Sequence, residues 1–476
     1  MKSVVLVVPP APKIVDLKAL GGRWPRLGIA YIAAYLRDRG VRVGILDCKV
    51  EGLNLEKATE RILDFQPDLV GVSAFTEEIL EAATICRLVK NNRKSIATVI
   101  GGAHASAIPE QVLVEFSGID IAVYGEGEET LWEVVQALGK GGLPQVHGIA
   151  YRDAGRIVLN QPRSLIETLD SLPYPAWDLF PLQKYRGSTI PSLGEKGYKD
   201  ILELPILSMR GCPYGCNFCF HAYGKTVRFR DYKKVVDEIQ FNMDHYGATQ
   251  FFFADGTFGI KKENVIGMCN EIICRKLNKK IRWSAPTRAD VSTEETLTLM
   301  KQAGCMTFCI GAESGDEQIL KNSDKGETKE QMRKAVGLAK KVGLPVEASF
   351  VMGHPYETEE SIKRTVDFAK ELDLDTFYIS IMIPYPGTKV LEMAKKGAGN
   401  YNLLSKDWSQ YTKQSGGPLE LKDIPLAKLR NIQARAYLKY YLRPRKILFM
   451  LKIIPVGKVM RIAADLLKNA VVKKSS

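Results

Sequence analysis

Several features that mark other protein classes are absent from this 476-residue sequence. Its first residues do not join a basic start to an apolar run and a cleavage site, so no export signal is expected and the chain is predicted to be cytoplasmic. No G-x-G-x-x-G follows the first apolar run, which argues against a nicotinamide or flavin dinucleotide. The apolar stretch near the C-terminus, residues 447–459, is interrupted by Lys452, Pro455 and Lys458 and is therefore unable to span a bilayer.

Composition and charge narrow the class further. With 45% hydrophobic residues, a chain of this length can bury two or three cores, which predicts a multidomain globular protein. The nine cysteines are expected to be reduced thiols or metal ligands, because disulfides are rare in the cytoplasm. The net charge of +13 is concentrated from Lys428 onward, in a segment that interleaves Leu, Ile and Met. This segment is either a solvated helical face or a membrane-binding surface, and a nucleic-acid partner is not expected.

Residues 1–150 alternate short apolar runs with segments of helical periodicity. The predicted strands are residues 4–8, 43–46, 69–73, 97–100 and 119–123. Strands that are buried on both faces consist of continuous Val and Ile runs, as these do. Five β–α steps predict an α/β domain with a parallel, doubly wound, flavodoxin-like sheet, whose ligands would bind at the carboxyl ends of the strands.

A linker and a second β–α series follow. Residues 151–200 are rich in Pro, Gly, Asp and Ser, which predicts a linker. The second series predicts strands at residues 201–208, 250–254, 281–285, 307–311, 346–352 and 377–383. Six such units predict a partial (β/α)6 barrel over residues 201–400, with its chemistry on the loops that follow the strands. Residues 401–476 are predicted to form a helical, basic C-terminal region.

One cysteine motif carries the strongest chemical signal. The segment SMRGCPYGCNFC spaces Cys212, Cys216 and Cys219 as C-x3-C-x2-C directly after a predicted strand. Three thiolates on a tight loop can hold one 4Fe-4S cluster and leave its fourth iron open to a small molecule. A zinc site would need a fourth ligand such as His221, and three unrelated thiols are the remaining alternative.

The cysteine loop and the predicted strand ends after it resemble the radical SAM superfamily. The resembling segments, in order, are FFFADGTFG, WSAPTRAD, IGAESGDEQIL, VMGHPYETEES and PYPGTKV. The resemblance implies that the open iron binds the amino and carboxylate groups of S-adenosylmethionine, that Phe218 lies beside the adenine, and that a flavodoxin or ferredoxin supplies electrons. Asp255 and Glu313 would contact the methionine amino group and Arg288 its carboxylate, with Ser314 near the ribose. Alternatively, each of these side chains belongs to an ion pair at the barrel rim.

The first domain resembles the cobalamin-binding domain of one branch of these enzymes. That branch includes the anaerobic magnesium-protoporphyrin monomethyl ester cyclase and cobalamin-dependent methylases. The resemblance rests on VGVSAFTEEILEAATICRLVK, TVIGGAHASAIPEQVL and VYGEGEETLWEVV. A corrin needs a wide platform with close backbone approach, and the residues expected to form it are Ser73, Gly101, Gly102, His104, Gly125 and Gly127.

The mode of cobalamin binding is also constrained by an absent motif. No D-x-H-x-x-G is present, so the resemblance implies that cobalamin binds with its base displaced and without a histidine from that motif on cobalt. His104 could reach the corrin or the cobalt, or it is a loop histidine bonded to the backbone.

These observations predict a radical enzyme that cleaves S-adenosylmethionine reductively. Its 5'-deoxyadenosyl radical would remove hydrogen from an unactivated carbon of a small or lipid-like substrate, such as an isoprenoid lipid or a tetrapyrrole, and cobalamin would methylate that carbon. A cyclase or rearrangement enzyme without net methyl transfer is one alternative, and a cobalamin or iron–sulfur sensor is another. We further hypothesise that residues from about 440 onward dock peripherally on the inner face of an anionic membrane.

Overall fold

The computed structural model describes residues 1–11, 24–187, 200–412, 416–444 and 446–447. These residues divide into two compact units. Unit 1 contains the described residues up to Pro213 together with Phe220–Gln250. Unit 2 contains Tyr214–Cys219 and the described residues from Phe251 onward.

Within the described residues, the first sheet of unit 1 has seven strands in the order β2-β1-β3-β4-β5-β6-β7. The strands are β1 (Ser3–Val8), β2 (Arg42–Asp47), β3 (Leu69–Ser73), β4 (Ala97–Gly101), β5 (Ile121–Val123), β6 (Ile149–Asp153) and β7 (Arg156–Leu159). The helices that accompany them are α1 (Leu27–Asp38), α2 (Cys48–Glu51), α3 (Leu55–Asp64), α4 (Ile79–Asn92), α5 (Ala103–Ala107), α6 (Pro109–Glu115) and α7 (Gly127–Ala137). Strands β1 to β5 pair in parallel, and every residue of β1 is buried, as its continuous apolar run predicts. The flavodoxin-like prediction is therefore confirmed for these five strands.

The last two strands correct the expectation of a wholly parallel sheet. Strand β6 pairs antiparallel with β5, and β7 pairs antiparallel with β6. Residue 151, where the predicted linker begins, lies inside β6. The two strands are joined by Ala154 and Gly155, with φ of 44° and 86°, which is the geometry of a tight hairpin turn. The prediction missed this hairpin because β7 is short and only partly buried.

A second sheet of six strands, counted among the described residues, has the order β15-β14-β13-β12-β11-β8. Its strands and the small β9–β10 pair are β8 (Glu203–Ile206), β9 (Met209–Arg210), β10 (Arg228–Phe229), β11 (Gln250–Phe253), β12 (Arg282–Thr287), β13 (Cys305–Glu313), β14 (Val346–Met352) and β15 (Thr376–Ile381). The helices after these strands are α8 (Tyr232–Tyr246), α9 (Lys262–Cys274), α10 (Glu294–Gln302), α11 (Glu317–Asn322), α12 (Lys329–Lys341), α13 (Glu359–Leu372) and α14 (Lys389–Lys395). The strand order follows the chain, as a (β/α)6 sheet requires, so this prediction is confirmed.

Threonine caps determine where three of these helices begin. The hydroxyls of Thr293, Thr328 and Thr358 each accept the backbone N–H three residues later at 3.2 Å, at the starts of α10, α12 and α13. Such caps satisfy N–H groups that have no partner within the helix. They stabilise the first turn of each helix.

The C-terminal part of unit 2 covers the open edge of its sheet. It contains β16 (Tyr401–Leu403), β17 (Leu419–Leu421) and α15 (Leu426–Tyr441). The hydroxyls of Tyr437 and Tyr441 on α15 bond to the main chain of Ile379 and Phe377 on β15. Edge strands leave unpaired N–H and C=O groups, and here side chains from a helix satisfy them.

The start of the predicted membrane-binding segment has a different environment from the one expected. Tyr440 donates its hydroxyl to the carbonyl of Leu374 at 2.6 Å, and Lys446 is also buried against this carbonyl. The rest of the segment, residues 448–476, lies outside the described residues. Among those that are described, no helix combines the length and apolar character needed to cross a membrane.

Candidate active site

The cysteine loop starts directly after β9 and is held there by backbone geometry. Gly211 has φ of 88°, and a Cβ atom at this position would lie 2.1 Å from the carbonyl oxygen of Thr226, so only glycine fits. The N–H of Cys212 donates to the carbonyl of Gly224 at 3.2 Å. The first predicted cluster cysteine therefore has a well-defined main-chain position in unit 1.

In unit 2, the other two predicted cluster cysteines, Cys216 and Cys219, flank a buried asparagine. The backbone N–H of Asn217 donates to the carbonyl of Ser323 at 3.0 Å, and its side-chain amide donates to the carbonyl of Asn322 at 2.6 Å. Asn217 thus attaches the loop to the end of α11. Asn217 was not predicted as a site residue, because its only signal in the sequence is its place directly after Cys216 in the motif.

The three predicted cluster thiols are more accessible than most other cysteines. Cys212 and Cys216 are half-buried and Cys219 is exposed. In contrast, burial raises the pKa to about 12 in the thiols of Cys48, Cys86 and Cys305. Because a thiolate is the form that binds iron, the accessible loop cysteines are chemically better suited to a cluster than these buried thiols.

The described residues contain no compact group of side chains that would bind a single metal ion. Within the part of the chain that the structure describes, no group of three or more His, Cys, Asp or Glu side chains is arranged to hold a metal ion. A 4Fe-4S cluster binds each thiolate to a different iron, so it needs the three thiols further apart than one ion would. The accessible thiols of Cys212, Cys216 and Cys219 occur along one loop, as the ligands of one cluster require.

Arg288 and Glu313, both predicted to bind the methionine part of S-adenosylmethionine, lie in one buried ionic network in unit 2. The ammonium of Lys325 is 3.5 Å from Glu313 and 3.0 Å from Glu327. The guanidinium of Arg288 is 3.6 Å from Glu327 and donates to both carboxylate oxygens of Asp290 at 2.9 and 2.8 Å. Arg288 and Glu313 thus form ion pairs, which was the predicted alternative to ligand binding. The sequence analysis missed Lys325 and Glu327, which occur as S-D-K-G-E-T shortly after the fourth strand motif.

Lys325 links this network to the cysteine loop. Burial alone would lower the pKa of Lys325, but the carboxylates of Glu313 and Glu327 and, to a smaller extent, the thiol of Cys216 raise it. Lys325 is therefore a buried ammonium at neutral pH. Its positive charge interacts with Cys216, one of the predicted cluster ligands.

The remaining predicted contacts to S-adenosylmethionine occupy separate environments. Asp255 is buried just after β11, and Ser314 is fully buried, with its hydroxyl 3.0 Å from that of Thr365 on α13. Phe218 packs its ring against His354 in a T-shaped contact with centroids 5.5 Å apart. The structure brings Arg288 and Glu313 together but places Ser314 in a hydrogen bond with α13. The roles of all these residues toward the ligand stay predictions.

Two buried titratable groups in the fifth strand motif were missed. His354 is fully buried, and burial, helped by the charge of Lys325, lowers its pKa to about 3. Burial raises the pKa of Glu357 to about 8, although its carboxyl group accepts the N–H groups of Gly353 and His354. At neutral pH the structure therefore holds an uncharged imidazole next to Phe218 and a protonated carboxyl group bonded to the main chain of His354. The motif VMGHPYETEES was recognised, but these two side chains were not assigned a role.

In unit 1, Ser73, Gly101 and Gly125 lie at the ends of neighbouring parallel strands. Ser73 ends β3 opposite Gly101, which ends β4, and Gly125 follows β5. A Cβ atom added to Gly101 or Gly125 would meet no other atom within 4 Å. These positions leave open space above the main chain, as a bound flat ring requires.

The other two predicted glycines have a packing role. A Cβ atom at Gly102 would lie 2.6 Å from the carbonyl oxygen of Ala74, and one at Gly127 would lie 2.8 Å from Cδ1 of Ile32. Gly102 also has φ of 95°, which disfavours other residues. These glycines let the strand-end loops pack closely within the domain, beneath the open space.

His104 lies on α5 and not in a loop. Its side chain is buried, and Nδ1 is 3.1 Å from the hydroxyl of Thr76. Burial lowers the pKa of His104 to about 4, which makes the imidazole neutral at physiological pH. Direct contact with cobalt stays a prediction.

An exposed aromatic ring next to Ser73 was also missed. Phe75 is half exposed, and the guanidinium of Arg26 lies 4.5 Å from the centre of its ring. Arg26 donates to both carboxylate oxygens of the buried Glu78, which also pairs with Lys49 at 3.0 Å. A rigid, exposed ring beside an open strand end is a suitable apolar platform for a corrin, so the residues present fit cobalamin.

Comparison with known families identifies the class of this protein. The model of the B12 binding domain matches residues 14–135, and the model of the radical SAM superfamily matches residues 206–369. The chain belongs to the radical SAM superfamily, in the branch whose members carry a B12-binding domain.

Individual relatives include both methyltransferases and cyclases. An "uncharacterized methyltransferase" of Pyrococcus horikoshii is 34% identical over 446 residues, which is 93% of each chain. The anaerobic magnesium-protoporphyrin IX monomethyl ester cyclase of Rubrivivax gelatinosus is 32% identical over 376 residues, which cover 77% of this chain and 66% of the cyclase.

A solved structure supports the fold. The radical S-adenosylmethionine methyltransferase TsrM of Kitasatospora setae, with cobalamin and a [4Fe-4S] cluster bound, has a TM-score of 0.70 and 19% identity, and the match covers 94% of this chain and 90% of TsrM. At this identity the likeness concerns the fold alone.

Proposed function

We propose that this chain is a cobalamin-dependent radical SAM methyltransferase that methylates an unactivated carbon of a small or lipid-like molecule. The observation that carries the proposal is that B12-binding and radical SAM domains occur on one chain whose relative over 93% of its length is named a methyltransferase. When bound, the cluster would supply the electron that cleaves S-adenosylmethionine, and cobalamin would supply the methyl group.

Side chains of the cysteine loop and of unit 2 would hold the cluster and orient the cosubstrate. Cys212, Cys216 and Cys219 would hold the cluster, and the cation of Lys325 would interact with Cys216. Around the open iron, the proposed contacts to S-adenosylmethionine are Phe218, Asp255, Arg288, Glu313 and Ser314. Arg288 and Glu313 already make ion pairs. Once their present partners move, Arg288 could bind the carboxylate and Glu313 the amino group of the methionine part.

The strand ends of unit 1 would form the cobalamin site. Gly101 and Gly125 would lie under the corrin, Ser73 and Phe75 at its edge, and His104 close to it. The cobalamin domain, predicted over residues 1–150, is proposed to extend through β7 because β6 and β7 belong to its sheet. The proposed linker then follows β7, before the barrel and the C-terminal region.

Substrate, electron donor and location complete the proposal. An isoprenoid lipid or a tetrapyrrole is the proposed substrate class, the latter because a relative is named a protoporphyrin ester cyclase. Flavodoxin or ferredoxin is the proposed electron donor in the cytoplasm. Residues after 447 are proposed to contact an anionic membrane, so a chain ending at Ile447 should bind phosphatidylserine vesicles less than the full chain at low salt. Equal binding of the two chains would contradict this contact.

The products of S-adenosylmethionine test the main proposal. The protein is reconstituted anaerobically with iron, sulfide and cobalamin, then given a reductant, methyl-labelled S-adenosylmethionine and candidate tetrapyrroles or isoprenoid lipids. A methyltransferase should release 5'-deoxyadenosine and S-adenosylhomocysteine in step and place label in a carbon-bound methyl group. Cys216→Ala should lose cleavage, whereas Cys305→Ala, which changes a buried thiol, should retain it.

A second candidate function is favoured by the cyclase relative. Deoxyadenosine formed without matching S-adenosylhomocysteine, from a substrate that gains no methyl group, would support cyclisation or rearrangement and contradict methyl transfer. Release of neither product by an iron-loaded protein would instead indicate a sensor.

A further inference from the structure

A buried cluster of four charged side chains lies within unit 1. The guanidinium of Arg210 donates one N–H to Glu126 at 2.8 Å and another to Glu128 at 2.5 Å. Arg228 donates to both oxygens of Glu126 at 3.0 and 2.8 Å. All four side chains are at most 8% exposed, and their two positive and two negative charges balance.

The cluster joins the two segments that the proposed function assigns to the two cofactors. Glu126 directly follows Gly125, one of the open glycines at the strand ends of the proposed cobalamin site. Arg210 lies two residues before Cys212 and pairs with Arg228 across the β9–β10 ladder. The proposed cobalamin loop and the start of the cysteine loop are therefore connected by buried hydrogen bonds inside one compact unit.

The geometry makes this connection stiff. A guanidinium has its N–H groups in a planar fork, and Arg210 uses this fork to bridge two carboxylates on one loop. Its guanidinium also lies over the rings of Tyr223 and Tyr31, at 5.0 and 5.5 Å from their centres. Buried charges can move only with their partners, since separation leaves a charge unpaired away from water. A shift of the loop that contains Glu126 and Glu128 must therefore move Arg210.

From this arrangement we infer that Arg210 is a positioning residue that couples the two cofactor sites. Cobalamin bound on the Gly125 loop would fix the positions of Glu126 and Glu128. Through its hydrogen bonds to these carboxylates, Arg210 would then fix the main chain just before Cys212, which would bind the cluster. This inference rests on the proposed function, because it needs both cofactors. Coupling of this kind is reciprocal, so a loaded cluster also strengthens cobalamin binding.

The test measures how cobalamin affects the release of iron. The full chain is reconstituted anaerobically, and the rate at which an iron chelator removes iron is measured with and without hydroxocobalamin. Cobalamin binding is followed separately by absorbance. The variants are Arg210→Lys, which keeps the charge but lacks the planar fork of N–H groups, and Glu128→Gln, which removes one ion pair. Glu238→Gln is the matched control, because Glu238 is equally buried and pairs with Arg230 at 2.6 Å.

The expected results separate coupling from general stability. In the wild type and in Glu238→Gln, cobalamin should slow iron release about fivefold or more. In Arg210→Lys and Glu128→Gln, the rate of iron release without cobalamin divided by the rate with cobalamin should fall towards one, although cobalamin still binds. Full protection in both variants, loss of protection in Glu238→Gln as well, or no protection in a wild type that binds both groups would overturn the inference. A wild type that binds no iron or no cobalamin would instead contradict the proposed function.

Discussion

At the residue scale, two adjacent glycines at the end of β4 have opposite roles. A Cβ atom added to Gly101 would meet nothing within 4 Å, whereas one added to Gly102 would clash with the main chain of Ala74. Gly102 is therefore needed for folding, and Gly101 is needed only if something occupies the space above it. This contrast makes Gly101 the better site for testing the cobalamin proposal.

We expect Gly101→Leu to weaken cobalamin binding by at least about tenfold, or ~1.4 kcal/mol, because the side chain would enter the space proposed for the corrin. The stability of the cofactor-free protein should change little, since the space is open. Absorbance titration and thermal unfolding measure the two effects. Gly337→Leu is the control, because Gly337 is also open but lies on α12 in unit 2. Wild-type affinity in Gly101→Leu would argue against a corrin at this strand end.

A second residue-scale prediction concerns Glu357. Burial raises the pKa of its carboxyl group to about 8, from an ordinary value of 4.5. Between these two values the unfolded chain releases its proton while the folded protein keeps it, so this group makes the free energy of unfolding decrease as pH rises. Glu357→Gln cannot ionise and should be more stable than the wild type above pH ~7, by up to a few kcal/mol.

Chemical denaturation of the cofactor-free protein between pH ~5 and ~9.5 tests this sign. The difference between variant and wild type should grow with pH and then level off above the folded pKa. Glu360→Gln, at a carboxylate with 62% exposure, should show no such trend. If Glu357→Gln keeps the wild-type slope, the carboxyl group of Glu357 is not protonated in the folded protein.

At the element scale, side chains of α15 make the hydrogen bonds to β15 that a neighbouring strand would otherwise make. The hydroxyl of Tyr437 accepts the N–H of Ile379 and donates to its carbonyl, both at 3.1 Å, and Tyr441 does the same with Phe377 at 3.0 and 2.9 Å. The two tyrosines are one helical turn apart and reach alternate residues of β15, which present their N–H and C=O groups in the same direction. The helix thereby protects this edge from pairing with another chain.

Each of Tyr437→Phe and Tyr441→Phe should lower the free energy of unfolding by ~1 kcal/mol, because it removes the side-chain partner of a main-chain N–H group of β15. The carbonyl of Ile379 keeps a partner in Tyr437→Phe, because it also accepts from Gln433. The double variant should also aggregate more readily during refolding. Denaturant titration and light scattering measure these effects. Tyr356→Phe, at a side chain with 59% exposure, is the matched control. A double variant as stable as the control would show that α15 is held only by apolar packing.

At the scale of the whole molecule, the cysteines fall into accessible and buried groups. The most accessible are Cys219 and Cys274, which are exposed, whereas Cys48, Cys86, Cys269 and Cys305 are buried. The spacing of the loop motif sets Cys219 apart from Cys274, which lies alone at the end of α9. Reactivity alone therefore does not identify cluster ligands, but protection by iron does.

Anaerobic alkylation of the cofactor-free protein should label Cys219 and Cys274 first and the buried thiols only after unfolding. Reconstitution with iron and sulfide should protect Cys212, Cys216 and Cys219 but leave Cys274 reactive. Mass spectrometry of the digested protein reports each position. Equal labelling of Cys219 in the loaded and cofactor-free protein would contradict its role as a cluster ligand.

Much of the fold follows from local sequence. The parallel strand β3 has the residues predicted from its continuous apolar run, because strands buried on both faces need such runs whatever lies next to them. The cysteine loop could be recognised for a similar reason, since three ligands of one cluster must be close along a tight turn. The β6–β7 hairpin was missed because a short, half-exposed edge strand has little apolar signal of its own.

The sequence by itself thus determined the two α/β series, the cysteine motif and the class of enzyme, all of which depend on residues close together in the chain. Only the tertiary structure decided which distant side chains meet. Arg210 and Glu126 are 84 residues apart, Tyr437 and Ile379 are 58 apart, and Arg288 approaches Lys325 from another strand end. Such pairs have no periodicity or spacing in the sequence, because the packing of whole elements brings them together and makes a buried charge or an open strand edge stable.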